Sequence, residues 1–497
     1  MDQKRDRQGI ERVNGAMGWL PPPSEGIPGV VVIGTEAIRR GFDPVCLQQA
    51  QRVAAAPGVT DVVLNPDAHA GYGAPIGCVL ASPTHIYPGP VGVDMKCSMS
   101  LLQLDLPGEA LRDQQVRREL IHAIAERTPT GAGKGQRSVR KGRPVGVRLG
   151  FKAVTQGITA EVCRSLGVPL EWAARCEDAS HTGHDGTRQA LERRLDDLLE
   201  TGRFPEYDGK IEQLGSYGGG NHFGEASVVE VVSDDEARRT ARHFGLVDGG
   251  IAFMSHCGSR GFGYHLATNQ FKTLQHWFAR EDLPLPGGEK QLVYAPLGTP
   301  QADDYLDDLG LAGNFATVNH LLINALVLEA FQEVMPGVRG RFVYLISHNT
   351  ARWEYLNGRS CWVHRKGATR AFPAGHPGLA GTVFERTGHP ILLPGNPQSG
   401  SVVMVARAGA DRSCYSINHG AGRTMSRRNA KRTLKQDQVD QSFREADILT
   451  NTARYPLDEA PAAYKDFGEV VRSVELAGLA RRVAHLRTRL VIKDQGR

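Results

Sequence analysis

Apolar and polar positions alternate along the chain in a way that predicts both strands and helices. Residues 30–66 begin with the apolar run VVVIG, continue through an amphipathic stretch at 48–55, and end with DVVLNP. This order predicts a strand, a helix and a second strand. The segments 187–201, 303–335 and 470–486 have helical periodicity and few helix-breaking residues, so each is predicted to be a scaffold helix.

Three glycine-rich segments interrupt these elements. Residues 67–77 (DAHAGYGAPIG) and 91–99 (VGVDMKCSM) follow predicted strands, and we expect loops that present polar side chains on a rigid scaffold. Residues 131–152 combine glycine with lysine and arginine, which predicts a loop and not a helix. Two interpretations of this loop stay open: a solvated surface, and a surface that contacts phosphates.

The composition is that of an ordinary folded protein. Of the 497 residues, 40% are hydrophobic and 23% charged, while the 58 glycines exceed average usage and predict many turns. Neither a repeat nor a low-complexity linker divides the chain, and polar motifs are scattered from Asp67 to Lys493. We therefore expect one large mixed α/β unit over residues 1–497.

Charge and cysteine content indicate which kinds of partner and which cellular compartment the sequence favours. The net charge of +5 permits an anionic partner without requiring one. The first twelve residues are charged, and no stretch of about 18 uninterrupted apolar residues occurs, which predicts a cytoplasmic protein without a membrane partner. The eight cysteines have no CxxC spacing, so most are predicted to be small buried side chains.

Six polar motifs lie beside glycines or at predicted strand ends. They are Asp94-x-x-Cys97, Asn221-His222-x-x-Glu225, HCGSR at 256–260, His348-Asn349, HRK at 364–366 and HGAGR at 419–423. A thiolate, imidazoles and a carboxylate together suit Mn, Fe, Co or Zn, and a thiolate can bridge two ions. Cys97 is the best candidate bridge, and two bridged ions could orient phosphates.

The segment 416–427 (SINHGAGRTMSR) suggests a phosphate-binding site and not a metal site. Its glycines allow the backbone to approach a phosphate, and a helix predicted to follow would direct free N–H groups at an anion. Arg423 and Arg427 would then share one helix face. His419 in this setting could attack phosphorus and form a phosphoramidate. A glycine-rich turn with a helix cap explains the segment equally well.

Over nearly its whole length the chain resembles the RtcB family of GTP-dependent RNA ligases. The resemblance runs in order from PDAHAGYGAPIG and GVDMKC through LGSYGGGNHFGE, SHCGSRGFG, SHN, VHRKGATRAF and INHGAGRTMSR to DEAPAAYKD and the terminal VIK. It implies a single α+β fold in which mixed β-sheets flanked by helices surround a deep cleft with two manganese ions.

The resemblance also implies roles for individual residues. The implied metal ligands are Asp94, Cys97, His222, His256 and His348, with Cys97 as the bridge. His419 corresponds to the histidine that becomes guanylylated. The residues implied around the guanosine nucleotide are Asn221, Glu225, Asn349, Ser401, His419, Gly420, Gly422, Tyr464 and Lys493. Implied phosphate or RNA-end contacts are Arg260, Arg423 and Arg427.

The implied activity joins an RNA 3′-phosphate or 2′,3′-cyclic phosphate to a 5′-hydroxyl, in RNA repair or tRNA splicing. GTP would guanylylate His419, GMP would move to the 3′-phosphate, and the 5′-hydroxyl would displace it, with Mn²⁺ neutralising charge. A monomer is expected, with the helper protein archease as an optional partner. Two alternatives stay open: a metal-dependent phosphodiesterase without guanylylation, and an RNA-binding paralogue without turnover.

The sequence also departs from the family pattern. Lys96 and Ser98 stand where the family usually has glycines, and GNPQSGS at 395–401 stands where it has a GSMGT-like loop. Lys96 is expected to lower ion affinity or to contact a substrate phosphate, or else to point to solvent. Asn396, Pro397 and Gln398 are expected to change nucleotide preference or to stiffen the loop.

Overall fold

The computed structural model describes residues 8–495, and strands make up its two main sheets. The strands are β1 (Glu11–Asn14), β2 (Met17–Leu20), β3 (Val30–Ile33), β4 (Asp61–His69), β5 (Ile76–Ser82), β6 (His85–Ile86), β7 (Ser98–Pro107), β8 (Phe223–Val231), β9 (Gly250–Cys257), β10 (Ala295–Pro296), β11 (Gly340–Ser347), β12 (Asn349–Leu356), β13 (Arg359–Lys366), β14 (Ala368–Arg370), β15 (Pro390–Asn396), β16 (Gly400–Ala406), β17 (Ser416–Asn418), β18 (Leu449–Thr450) and β19 (Ala480–Lys493).

Helices flank these sheets. They are α1 (Glu36–Arg40), α2 (Pro44–Ala54), α3 (Gln114–Ala125), α4 (Val147–Gln156), α5 (Ala160–Leu166), α6 (Arg188–Glu200), α7 (Tyr207–Ile211), α8 (Asp235–Phe244), α9 (Arg260–Arg280), α10 (Pro300–Val334), α11 (Arg427–Thr433), α12 (Gln436–Glu445) and α13 (Phe467–Leu476).

Two large sheets organise the fold. The first has the order β1-β2-β3-β4-β5-β13-β12, and the second has the order β11-β7-β9-β8-β19-β16-β15 with β18 beside β19. Most pairs are antiparallel, whereas β3 with β4 and β18 with β19 are parallel. Mixed sheets flanked by helices confirm the predicted α+β class.

A short third pairing brings a distant part of the chain to the sheets. β14 pairs with β17, so that Ala368 lies opposite Asn418. The residues next to this pair are Gly367, which follows β13, and His419, which follows β17. The pairing therefore fixes the position of His419 relative to the edge of the first sheet.

Helix α10 forms the centre of the largest apolar cluster. Thr299 caps it by accepting a hydrogen bond from the N–H of Ala302, and Pro300 occupies its first turn, where proline costs no hydrogen bond. By length and composition alone α10 could span a membrane, but 94% of its most apolar window is buried inside the protein. It is buried among the other elements as a core helix.

Most of the predicted scaffold is confirmed. β3, α2 and β4 form the predicted strand, helix and strand, although β4 continues to His69 and so takes the first residues of the predicted loop 67–77. The helices predicted at 187–201 and 303–335 correspond to α6 and α10. The cysteines are all unpaired, and each is buried apart from the half-buried Cys176.

The helix predicted over 470–486 is wrong in its second half. α13 ends at Leu476, Gly478 has a φ of +71°, and β19 begins at Ala480. A glycine at positive φ stops a helix at little cost. The residues that follow pair with both β16 and β8, so sheet pairing overrides the local helical pattern.

The basic segment 131–152 is only partly a loop. α4 begins at Val147, so the prediction that the whole segment is non-helical is wrong for its last residues. Several of its cations form ion pairs with neighbouring carboxylates: Arg137 with Glu212, Arg140 and Lys141 with Glu126, Lys141 with Glu333, and Arg143 with Glu329. These pairs favour the solvated surface over the phosphate-contacting surface.

Candidate active site

The thiol of Cys97 lies between two sets of potential metal ligands. Its Sγ is 3.3 Å from Nε2 of His222 and 3.2 Å from Nε2 of His256. Asp94 completes one set, with Oδ2 2.9 Å from Nε2 of His222, and His348 completes the other, with Nε2 3.4 Å from Nε2 of His256. Within each set all donor atoms lie within 4.8 Å of one another. Because both sets share Cys97, the arrangement fits a thiolate that bridges two cations.

Adjacent strands of the second sheet bring these five residues together. Asp94 and Cys97 lie in the turn before β7, while His256 is at the end of β9 and pairs with Met99 of β7. His222 immediately precedes β8, and His348 links β11 to β12. Since β11, β7, β9 and β8 are neighbours in this order, their ends form one cluster.

Burial sets the protonation of this cluster. It raises the pKa of the Cys97 thiol well above its usual value, and the charge of Asp94 raises it further. Burial also lowers the pKa values of His256 and His348, so both imidazoles are neutral, as metal ligands must be. A cation beside Cys97 would supply the positive charge that a buried thiolate needs.

His222 is oriented as metal-ligating histidines usually are, whereas His348 lacks the usual second contact within the described part of the chain. Nδ1 of His222 donates to the carbonyl oxygen of Tyr217 at 2.7 Å, which directs Nε2 toward Asp94 and Cys97. Nδ1 of His348 is buried and has no hydrogen-bond partner among residues 8–495. These contacts and the mixed sulfur, nitrogen and oxygen donors fit a transition-metal centre.

His419 is held by a buried carboxylate beside this cluster. Its Nδ1 lies 2.8 Å from Oδ2 of Asp67 and 2.9 Å from the carbonyl oxygen of Gly367, so Nδ1 carries the proton. This contact leaves Nε2 as the basic nitrogen. The ring of His419 is 4.7 Å from that of His348, which places it next to the predicted metal ligands.

Asp67 was not predicted as a site residue, although it begins the motif DAHAGYG. Its side chain is fully buried. Gly422 explains how the loop after His419 approaches it: a Cβ on Gly422 would lie 2.2 Å from the carbonyl oxygen of Asp67, and Gly422 has a φ of +74°. Glycine is therefore required there both for space and for backbone conformation.

A cavity of about 270 Å³ adjoins His419. Most of the residues predicted to surround a nucleotide line it, together with His256 and two of the predicted arginines: Asn221, Glu225, Ser401, His419, Gly420, Gly422, Arg423, Arg427, Tyr464 and Lys493. His419 thus borders both a metal-type cluster and a polar cavity, and His256 belongs to both.

Two of the residues predicted to contact the nucleotide or a phosphate lie outside this cavity. Asn349 instead supports the metal cluster, because its Nδ2 donates to the carbonyl oxygen of Asp94 at 3.1 Å and its Oδ1 accepts from the N–H of Gly367 at 2.9 Å. Arg260 instead donates a hydrogen bond from Nε to Oγ of Ser216 at 3.2 Å.

Glu225 and Ser401 form one wall of the cavity. Oγ of Ser401 donates to Oε1 of Glu225 at 2.8 Å. Burial raises the pKa of Glu225 to about 7, even though the Ser401 hydrogen bond acts in the opposite direction. The protonation of this carboxyl therefore changes near neutral pH.

Glu459 forms ion pairs with cations that line the cavity. Like Asp67, it was not predicted from the sequence as a site residue. It lies within the DEAPAAYKD motif and accepts a hydrogen bond from the Tyr464 hydroxyl at 2.7 Å. Arg427 pairs with it at 2.7 Å, and Arg423 and Lys493 approach it at 3.4 Å. Asp458 also pairs with Arg427 at 3.1 Å, so two carboxylates and three cations meet at this wall of the cavity.

The predicted helix after His419 begins later than expected. β17 ends at Asn418, and α11 begins only at Arg427, capped by the Ser426 side chain. The prediction that Arg423 and Arg427 share one helix face is therefore wrong, because Arg423 precedes the helix. Their shared partner Glu459 brings them together instead.

Lys96 does not point to solvent, so that expectation is wrong. Its side chain is 1% exposed, and Nζ lies 2.6 Å from Nε2 of His181 and 3.7 Å from Oδ2 of Asp178. Because these contacts hold the Lys96 ammonium inside the protein, they do not favour its contact with a substrate phosphate. Ser98 donates from Oγ to the Lys96 carbonyl oxygen at 2.7 Å.

Hydrogen bonds within the loop at 395–401 stabilise its conformation. Oδ1 of Asn396 accepts hydrogen bonds from the N–H groups of Gln398 and Ser399, each at 3.0 Å. Asn396 and Pro397 both line the cavity. This geometry agrees with the expectation of a stiffened loop, while its effect on nucleotide preference stays a prediction.

Comparisons with known proteins agree with this arrangement. A family model described as "tRNA-splicing ligase RtcB" matches residues 49–494. The chain is 32% identical to the tRNA-splicing ligase RtcB of Thermococcus kodakarensis, over 94% of this chain and 95% of that protein. It is 32% identical to the protein of the same name from Aeropyrum pernix, over 94% and 96%, and 31% identical to that from Pyrobaculum aerophilum, over 97% and 99%. With matches that span nearly the whole of each chain, the protein belongs to the RtcB family.

Proposed function

We propose that this protein is a GTP-dependent RNA ligase that joins 3′-phosphate or 2′,3′-cyclic phosphate ends to 5′-hydroxyl ends. The observation that carries the proposal is the position of His419, whose ring lies 4.7 Å from the predicted metal ligand His348 and which also lines the polar cavity. The names of the relatives, all tRNA-splicing ligases, point to the same substrate class.

Asp94, Cys97, His222, His256 and His348 would hold two manganese ions, with the thiolate of Cys97 between them. The ions would neutralise and orient phosphate oxygens during transfer. The protein's own contribution is to hold this donor set at the ends of neighbouring strands, with Asn349 fixing the turn that carries Asp94. Rigid placement lowers the reorganisation needed at each transfer.

The first step follows from the orientation of His419. Nε2 would attack the α-phosphorus of GTP, forming a P–N bond while the bond to pyrophosphate breaks. Asp67 keeps the proton on Nδ1 and stabilises the positive charge that develops on the ring. GMP would then move to the RNA 3′-phosphate, and a 5′-hydroxyl would displace it to form the phosphodiester.

The cavity would hold the guanosine part of GTP. The Glu225 carboxylate would accept hydrogen bonds from guanine N–H groups, with Ser401 holding the carboxylate in place. Arg423, Arg427 and Lys493 provide the positive charge around Glu459. We further propose a cytoplasmic monomer, with archease as an optional helper in RNA repair or tRNA splicing.

A phosphodiesterase without guanylylation would need the metal cluster, but it would not need a histidine that Asp67 holds beside the cavity.

The discriminating experiment incubates the protein and Mn²⁺ with RNA that ends in a 3′-phosphate and RNA that begins with a 5′-hydroxyl. We expect joined RNA with GTP, and none when the 3′-phosphate is replaced by a 3′-hydroxyl. A parallel reaction uses RNA that ends in a 2′,3′-cyclic phosphate. Opening of the cyclic phosphate without joining of either RNA, with archease present, would favour the phosphodiesterase.

A further inference from the structure

Helix α11 carries a basic surface next to the candidate active site. Residues 427–435 read RRNAKRTLK and contain five cations and no acid. Ala430 is the buried residue of α11, whereas Arg428, Lys431 and Arg432 are exposed. Residues three and four apart are neighbours on a helix surface, so these three cations form one patch, which we call the α11 patch.

The cations of the α11 patch are largely free of carboxylate partners. Within residues 8–495, Arg428 forms no ion pair, and Arg432 contacts only a neutral amide oxygen at 3.1 Å. Lys431 is 52% exposed and lies 3.6 Å from Oδ1 of Asp458, a carboxylate that it shares with Arg427. The patch therefore keeps a net positive charge on its exposed side.

The α11 patch has an acidic limit on one side and the active site on the other. The positive surface ends at α12, whose acids are Asp437, Asp440 and Glu445. On the other side, Arg427 precedes the patch and lines the cavity beside His419. A Cβ on Gly220 would lie 3.9 Å from Nη2 of Arg427, so the glycine-rich turn 218–221 adjoins the start of α11.

This turn presents free hydrogen-bond donors. Gly218 and Gly220 have φ values of +81° and +75°, and they alternate with residues of negative φ, which directs successive N–H groups toward one concavity. Among residues 8–495, no group accepts a hydrogen bond from the N–H of Gly219, Gly220 or Asn221, and this includes the nearby carboxylate of Asp494. Such a concavity binds anionic oxygens.

The chemistry of these groups favours a nucleic-acid backbone as the partner. Backbone N–H groups and arginine side chains are common ligands of phosphate oxygens, and guanidinium matches the geometry of a phosphate. A backbone also carries a negative charge at every nucleotide, so one strand can contact the turn and the α11 patch in succession.

We propose that the α11 patch binds the sugar–phosphate backbone of the RNA strand whose end enters the active site. This inference rests on the proposed function for the identity of the RNA. The strand would pass from the metal cluster over the turn 218–221 and follow the exposed face of α11. Because the contacts are to phosphates, they would not depend on the base sequence.

The test measures RNA affinity by fluorescence anisotropy in Arg428→Gln/Arg432→Gln at about 50 to 200 mM salt. The probe is a labelled single-stranded RNA of about ten nucleotides with a 3′-phosphate, in the presence of Mn²⁺. Each lost phosphate contact lowers the slope of log affinity against log salt by about 0.7 for a single strand. We therefore expect the slope to fall by about 1.4 and Kd at low salt to rise about tenfold.

Three controls separate this surface from general effects. Arg428→Lys/Arg432→Lys keeps both charges and should retain the wild-type slope. Arg239→Gln/Arg242→Gln removes two exposed cations from α8, which follows the end of β8 distant from His222, and should leave affinity and slope unchanged. Covalent labelling by GTP, which needs no RNA, should be unaffected in all three variants.

Wild-type affinity and slope in Arg428→Gln/Arg432→Gln would overturn the proposal and leave the α11 patch to an acidic protein. Weaker binding with an unchanged slope would overturn it as well, because no phosphate contact would have been lost. Equal weakening in the α8 variant would assign the effect to net charge alone, again against the proposal. Absence of GTP labelling in the wild type would instead contradict the proposed function, while the salt dependence would still decide the role of the patch.

Discussion

At the scale of single residues, the chemistry proposed for His419 depends on Asp67. The fully buried carboxylate accepts the Nδ1 proton at 2.8 Å and so keeps Nε2 available. In Asp67→Asn the amide has no negative charge and can donate to Nδ1, which favours the wrong tautomer. We expect the rate of GTP labelling to fall about 100-fold, with GTP affinity nearly unchanged. A wild-type labelling rate in Asp67→Asn would show that the contact has no part in the reaction.

Glu225 predicts a pH dependence of GTP binding. Burial raises the pKa of its carboxyl to about 7, so the group is largely protonated at pH 6 and ionised at pH 8. If the carboxylate accepts hydrogen bonds from guanine, GTP binds the ionised form, and affinity rises with pH through this range. We expect Kd to fall by up to about tenfold per pH unit below the pKa and to level off above it. Calorimetric titration at a series of pH values measures this.

The matched control is Glu225→Gln, which keeps the shape of the side chain but does not titrate. Its GTP affinity should be lower at pH 8 and nearly constant between pH 6 and 8. An identical pH profile in the wild type and in Glu225→Gln would assign the dependence to another group.

At the scale of elements, the turn that carries Asp94 and Cys97 contains an unusual backbone position. Lys96 has a φ of +55°, and its buried ammonium contacts His181. Lys96→Gly and Lys96→Ala both remove the ammonium, but only glycine adopts this φ without steric cost. We expect Lys96→Gly to be about 1–2 kcal/mol more stable to urea than Lys96→Ala. Equal unfolding free energies would show that the turn relaxes to an ordinary conformation.

The elements that could be predicted from sequence are those whose pattern is local. α6 and α10 have long helical periodicity, and β3, α2 and β4 are separated by clear breaks, although the short helix α1 between β3 and α2 was not predicted. The strand β19 was missed because its pairing partners β16 and β8 are distant in sequence and a local pattern cannot reveal them. The start of α11 was placed too early for a related reason, since Arg423 forms an antiparallel bridge with the distant Tyr464.

The site could be predicted where residue type alone limits the chemistry. Cysteine, histidine and a carboxylate beside glycines suggested a metal site bridged by Cys97, and the five ligands that the family resemblance implies do converge. Asp67 and Glu459 were missed because a carboxylate acquires its role from the groups that it meets in three dimensions. Lys96 was misjudged for the same reason, since its partners Asp178 and His181 lie about eighty residues away along the chain.

At the scale of the whole molecule, the metal cluster ties together strands from distant parts of the chain. Asp94, Cys97, His222, His256 and His348 come from the neighbourhood of four adjacent strands. Metal bound there would stabilise the folded protein, because the unfolded chain does not hold these ligands together. We expect Mn²⁺ to raise Tm and chelation to lower it, with two manganese equivalents per chain in elemental analysis.

Cys97→Ala should abolish this response, because it removes the donor common to both ligand sets. His222→Ala is the matched comparison, since it removes a donor from one set alone and should leave one equivalent bound. Retention of two equivalents in Cys97→Ala would rule out the bridging role.

The central claim is that one histidine links the metal cluster to the nucleotide cavity by becoming guanylylated. The most direct measurement incubates the protein with Mn²⁺ and GTP labelled at the α-phosphate, followed by denaturing electrophoresis. We predict that label stays on the chain, that it is acid-labile as a P–N bond requires, and that His419→Ala takes up none. A wild-type protein that takes up no label with any divalent metal, with or without archease, or a His419→Ala variant labelled as strongly as the wild type, would contradict the account.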